Sequence, residues 1–100
     1  MILITVMYPP GNFDLDYYLK THIPLLKTRW TDYGLKSAQV LRGKAKGDGS
    51  APEYPMTALL TFASLEDFQK AGKAHGAEVF ADVAKFTNVQ PLVQINEILE

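Results

Sequence analysis

There is no cysteine among the 100 residues of the chain. Its absence excludes a disulfide framework, a thiolate nucleophile and a sulfur ligand for zinc or an iron–sulfur cluster, and fits a reducing compartment. Histidine is nearly as scarce: of the two, His22 and His75, neither has a second ligand at a usual metal-binding spacing, so no metal is expected. An excess of either charge is lacking as well. Ten Lys and Arg stand against eleven Asp and Glu, a formal net charge of −1. Without a basic patch there is no electrostatic footprint for nucleic acid or an anionic membrane. No apolar run reaches membrane-spanning length, because the opening MILITVMY stops at Pro9-Pro10-Gly11 and has no basic flank. No glycine-rich loop leads from a strand into a helix, so no nucleotide cofactor is expected. These absences describe one soluble domain over residues 1–100, in the cytoplasm and without a cofactor.

What is present is an ordered change of hydrophobic period. Met1 to Tyr8 reads as a strand ended by turn residues. Asp14 caps a helical pattern that runs to about Tyr33 and stops at Gly34. Leu35–Arg42 and MTALLTF (56–62) read as strands on either side of a glycine-rich loop, 43–55, expected to be mobile and a candidate lid. Ser64 starts a second helical region with Leu65, Phe68 and Ala71 inward, weakened at Gly72 and Gly76. A last helical segment then places Val79, Phe80, Val83 and Phe86 at helical spacing. LVQINEIL closes the chain as a fourth strand. Strand, helix, strand, strand, helix, strand is the split pattern of a ferredoxin-like α+β domain: a βαββαβ antiparallel sheet with its helices on one face. Both faces of the first and last strands carry apolar residues, and two helices cover one face only. The second face therefore predicts a homodimer that packs sheet on sheet.

The stretch FDLDYYLKTHIPLLK, residues 13–27, concentrates the chemistry. Leu15, Tyr18, Leu19, His22, Leu25 and Leu26 share one helical face, with His22 in its middle. A buried imidazole needs a partner for each nitrogen, and the Tyr18 hydroxyl one turn earlier is the nearest candidate. Pro24 cannot serve the carbonyl of Lys20, which predicts a kink beside His22 and a gap between helix and sheet. An apolar gap with a tyrosine–histidine pair suits a small hydrophobic ligand carrying an oxygen. The alternative for His22 is a core histidine that ties a bent helix to a strand. Tyr8, at the end of the first strand, either simply ends it or rims the pocket mouth. Trp30 is read as packing and His75 as solvent-facing, while Asp14 and Asp16 are a cap and a first-turn charge, not a carboxylate dyad.

The motifs YPP, FDLDYYLKTHIPLL, YGL, LTFASLEDF and FADVAKFTN together resemble the EthD family, named after an ethyl tert-butyl ether degradation cluster. The likeness covers nearly the whole chain, and Tyr-x-x-x-His-x-Pro-Leu is its most specific part. It implies a dimeric α+β barrel with a pocket between sheet and helices. The site residues then expected are His22 and Tyr18 for catalysis, with Tyr8, Leu26 and Phe86 lining the ligand. Two functions follow. One is a cofactor-independent oxidoreductase, isomerase or decarboxylase of aromatic or lactone-like catabolites; the other is a non-catalytic binding module that serves a separate oxidoreductase.

Overall fold

In the computed structural model, which describes all residues from Met1 to Glu100, strand β1 (Ile2–Tyr8) is the spine of the sheet. Its β-branched and aliphatic residues suit a central position. It pairs antiparallel with β3 (Met56–Phe62) on one side and β4 (Leu92–Glu97) on the other. β2 (Leu35–Arg42) flanks β3 with a register shift between Leu35 and Ser37, so the order is β2-β3-β1-β4. This is the four-stranded antiparallel sheet that the element order predicts.

Alternation sorts the strand residues. Ile4 and Tyr8 of β1 and Met56, Ala58, Leu60 and Phe62 of β3 are buried under the helices. The helical layer starts at α1 (Leu15–Tyr17), where the Asp14 side chain accepts from the Tyr17 amide at 3.0 Å. It widens into a π turn (Tyr18–His22) and continues as α2 (Ile23–Trp30). The distortion expected beside His22 is therefore a π turn that ends at His22, not a kink made by Pro24. The Ile23 amide bonds the carbonyl of Tyr18, five residues back, and Pro24 sits harmlessly in the first turn of α2. Gly34 ends the layer at φ 93°. A Cβ there would fall 2.7 Å from the Asp67 Cβ, so only glycine makes this turn.

Two expectations for the second helical region are corrected. Gly72 and Gly76 do not break it: α3 (Leu65–Asp82) is one unbroken helix, capped by the Ser64 hydroxyl on the Asp67 amide at 3.1 Å. Phe80 and Leu65 are not inward residues, being 55% and 41% exposed. At 3.6 residues per turn the inner line passes through Ala71, Val79 and Asp82, and Phe80 lies a quarter-turn round from Val79. A 3₁₀ turn (Val83–Lys85) then delivers Phe86 back to the core. Trp30 packs as expected, its Nε1–H donating to the Ala71 carbonyl at 2.9 Å. No residue of 43–55 lines the helix–sheet cavity described below, so the lid reading has no geometric support.

Because a Cβ at Gly72 or Gly76 would meet no atom within 4 Å, both glycines cost helix stability without serving packing. Gly72→Ala and Gly76→Ala are each expected to raise stability by about 0.5–1 kcal/mol, and Gly34→Ala to lower it by more than that. Urea unfolding of the three variants checks the contrast.

Candidate functional site

The layers part slightly where the π turn crosses β1 and β3. A cavity of about 40 Å³ lies there, walled by Val6 and Tyr8 of β1, Ala58 and Leu60 of β3, the inner faces of the helices, and Phe80 and Val83 on its outer side. Tyr18, His22, Leu26 and Trp30 line it from the first helical layer. Of the five site residues expected from the sequence, Tyr8, Tyr18, His22 and Leu26 thus meet at one cavity. Phe86 does not line it. It packs against the His22 ring at a centroid separation of 4.6 Å and against Tyr18 at 4.9 Å, and so holds both rings in place from behind.

The partner expected for His22 is also different. The Tyr18 and His22 rings stack at 5.6 Å and 16° instead of hydrogen bonding, since side chains four residues apart project side by side. The nitrogen is satisfied across the helix pair: His22 Nδ1 lies 2.9 Å from Asp82 Oδ2, and the Tyr17 hydroxyl donates to Asp82 Oδ1 at 2.7 Å. Asp82 and Tyr17 were missed in the sequence. A carboxylate on the apolar inner line of a helix, at its C-terminal end where the macrodipole disfavours negative charge, was the available signal for Asp82.

This arrangement sets the tautomer. A carboxylate only accepts, so Nδ1 of neutral His22 donates and Nε2 carries the lone pair. No buried side-chain nitrogen or oxygen lacks a partner, yet His22 Nε2 and the Tyr8 and Tyr18 hydroxyls make no hydrogen bond within the chain. Each of the three atoms therefore keeps some accessible surface, and their residues share one cavity. Desolvation lowers the His22 pKa, outweighing the hydrogen bond and charge of Asp82 that raise it. Desolvation alone pushes the Asp82 carboxyl up, but the hydrogen bonds of Tyr17 and His22, with the His22 and Lys85 charges, bring it below the usual carboxylate value. Burial raises the phenols of Tyr8 and Tyr18, which stay neutral donors. The result is an uncharged base held by a carboxylate, beside two phenolic donors, in apolar walls. No three His, Asp or Glu side chains converge as a metal site would need, and no helix is long and apolar enough to cross a membrane.

The topology and the layer of helices on one face define a ferredoxin-like α+β protein. Neither a family model nor a curated protein sequence matches the chain, but solved structures do. An EthD-like protein from Ralstonia eutropha JMP134 is 32% identical, with a TM-score of 0.89 over 99% of this chain and 92% of that one. The chain belongs to the EthD-like family. The fold is shared with SnoaB, a cofactor-independent oxygenase from Streptomyces nogalater, at 8% identity and a TM-score of 0.71 over 99% and 93% of the two chains. It is shared too with a dimeric ferredoxin-like protein from an uncultured marine organism, at 15% identity and a TM-score of 0.67 over 100% and 96%.

Both shifted groups of the pair bind protons less readily when folded. Below the ordinary histidine value of 6.5 the unfolded chain takes up the His22 proton first, so stability falls as pH falls from there. Asp82 adds a second loss below the ordinary aspartate value of 3.8. Denaturant unfolding at a series of pH values should show a plateau above neutrality and a decline beginning near 6.5, and His22→Gln should remove that first decline. An unchanged slope in the variant would contradict the assignment.

Proposed function

We propose that this EthD-like chain works as a homodimer that binds a small, mostly apolar, oxygen-bearing metabolite in the helix–sheet cavity, with His22 as its base. The observation that carries the reading is the Asp82–His22 hydrogen bond, which leaves a neutral imidazole with its Nε2 lone pair on an apolar cavity. An imidazole so oriented by a carboxylate is suited to take a proton from an O–H, or from a C–H next to a carbonyl. Tyr8 and Tyr18 would hold the oxygen whose charge grows as the proton leaves. Such a step can begin an oxygenation, an isomerisation or a decarboxylation without a cofactor, and the fold shared with a cofactor-independent oxygenase supports that direction. Leu26 shapes the apolar wall, while Phe86 acts by holding the rings.

The second reading is a binding module that retains the same ligand for a separate oxidoreductase. In either reading the walls must part for the ligand, since about 40 Å³ holds a few water molecules at most.

The dimer rests on the sheet face turned away from the helices. Leu3, Met7, Leu59 and Leu92 stand there, and Leu92 is 49% exposed. Polar groups between them are already served: Asn96 Nδ2 donates to the Leu3 carbonyl at 2.8 Å and the Thr5 hydroxyl to the Gln94 carbonyl at 3.4 Å. A satisfied, part-apolar face suits burial against a second copy. Val93 and Ile95 pair with Val6 and Ile4, so these two apolar residues of β4 lie on its helix side and take no part in the contact.

The ligand is to be identified by native mass spectrometry of the protein as purified. With it, His22→Gln should keep the fold and reduce turnover by about 10²-fold or more, and Tyr18→Phe should cost less. Binding without turnover would favour the module, and unchanged affinity per folded molecule in His22→Gln would remove the site altogether. Light scattering should give twice the chain mass, and Leu59→Glu should split the pair; a wild-type monomer at micromolar concentration would refute the dimer.

A further inference from the structure

Outside the cavity, an open groove of about 320 Å³ runs along the end of α3 and the segment before β4, lined by Phe80, Val83, Thr87, Asn88, Gln90 and Pro91 among others. Phe80 and Val83 are the two residues common to groove and cavity. Val83 is half-buried, but Phe80 is 55% exposed and is not part of the core cluster, so one side of it faces open space. The far wall of the groove is firmly built. Thr87 Oγ1–H donates to the Asn12 carbonyl at 2.6 Å, and the Asn12 amide donates to Asn88 Oδ1 at 3.1 Å. A Cβ on Gly11 would collide with the Val89 side chain, so the turn after β1 also presses on this segment. With Oδ1 engaged, Asn88 presents a free Nδ2–H₂ pair, and the Gln90 amide makes no hydrogen bond in the chain.

We propose that cavity and groove are the two halves of one ligand site, parted by the Phe80 side chain, and that the site takes an elongated, largely apolar molecule longer than a single ring. Its buried end carries an oxygen for Tyr8, Tyr18 and His22 Nε2; its outer end carries a carbonyl or hydroxyl for Asn88 or Gln90. The inference rests on the reading of the inner cavity given above and adds to it a ligand length and the residue that controls that length. Neither half suffices alone. The cavity is too small for a metabolite, since ligand sites run from about 300 to 1,000 Å³. The groove has the volume but is open to solvent, and its buried polar residue, Thr87, already has its hydroxyl bonded to Asn12 and Val89.

The test uses two probes, phenol and 4-phenylphenol, titrated against the full chain with Trp30 fluorescence as the readout. Trp30 is the one tryptophan and lines the inner cavity, so it reports occupancy directly. Phe80→Ala removes an exposed side chain, and circular dichroism should confirm an unchanged fold. The variant is expected to shift the affinity ratio in favour of 4-phenylphenol by about two- to tenfold, the cost of holding one side chain aside. His22→Gln is expected to weaken both probes alike. If His22→Gln weakens both while Phe80→Ala leaves the ratio unchanged, the joined site is overturned and the inner cavity stands. If His22→Gln changes neither affinity, the inner reading falls and the joined site with it. Failure of both probes to bind wild type and Phe80→Ala also overturns the proposal.

Discussion

The hydrogen bond between His22 and Asp82 is the contact on which the rest of the site depends. It joins the π turn to the last residue of α3, 60 positions apart in the chain. Further along the same antiparallel helix pair, Arg29 meets Glu78 through two bonds of 2.9 and 3.2 Å, and Trp30 meets the Ala71 carbonyl. The Arg29–Glu78 pair is part-exposed and contributes little, as surface pairs do. The buried bonds decide the register, because a one-turn slip would leave an imidazole, a carboxylate and an indole N–H unpaired in a dry layer. Helix register, histidine tautomer and the open Nε2 are therefore one decision.

The aromatic cluster explains why that decision is rigid. Tyr8, Phe13, Tyr18 and Phe86 meet edge to face or tilted at 4.9 to 5.8 Å. Phe86 also touches His22, so the ring is held between a stacked phenol and a tilted phenyl. The Asp14 amide donates to the Phe86 carbonyl at 2.6 Å, which ties the exit of α3 to the entry of α1. The base thus sits where both helix ends are pinned. The outer side, at Phe80, is half-exposed.

Much of this architecture was legible in the residues. Asp14, Gly34 and Ser64 announce their helix ends, because capping and left-handed turns are local chemistry. The strand periods gave the sheet, and Tyr-x-x-x-His marked the helix face that holds the cavity. What escaped depended on neighbours. Gly72 and Gly76 weaken an isolated helix, yet tertiary packing along α3 overrides them. Pro24 forecast a distortion but not that an i+5 turn upstream would absorb it. Asp82 was hidden because a single carboxylate in an apolar stripe acquires its meaning only from His22 across the layer. Phe80 was assigned inward on spacing alone, and a quarter-turn of helix made the difference.

The central claim is that burial keeps His22 neutral while Asp82 fixes its proton on Nδ1 and leaves the lone pair on Nε2. Nitrogen-15 NMR of histidine-labelled protein at neutral pH tests it directly, since protonated and unprotonated ring nitrogens resonate far apart. The account predicts a His22 spectrum with Nδ1 protonated and Nε2 bare, and loss of that preference in Asp82→Asn. A His22 that carries its proton on Nε2, or on both nitrogens at neutral pH, would contradict it.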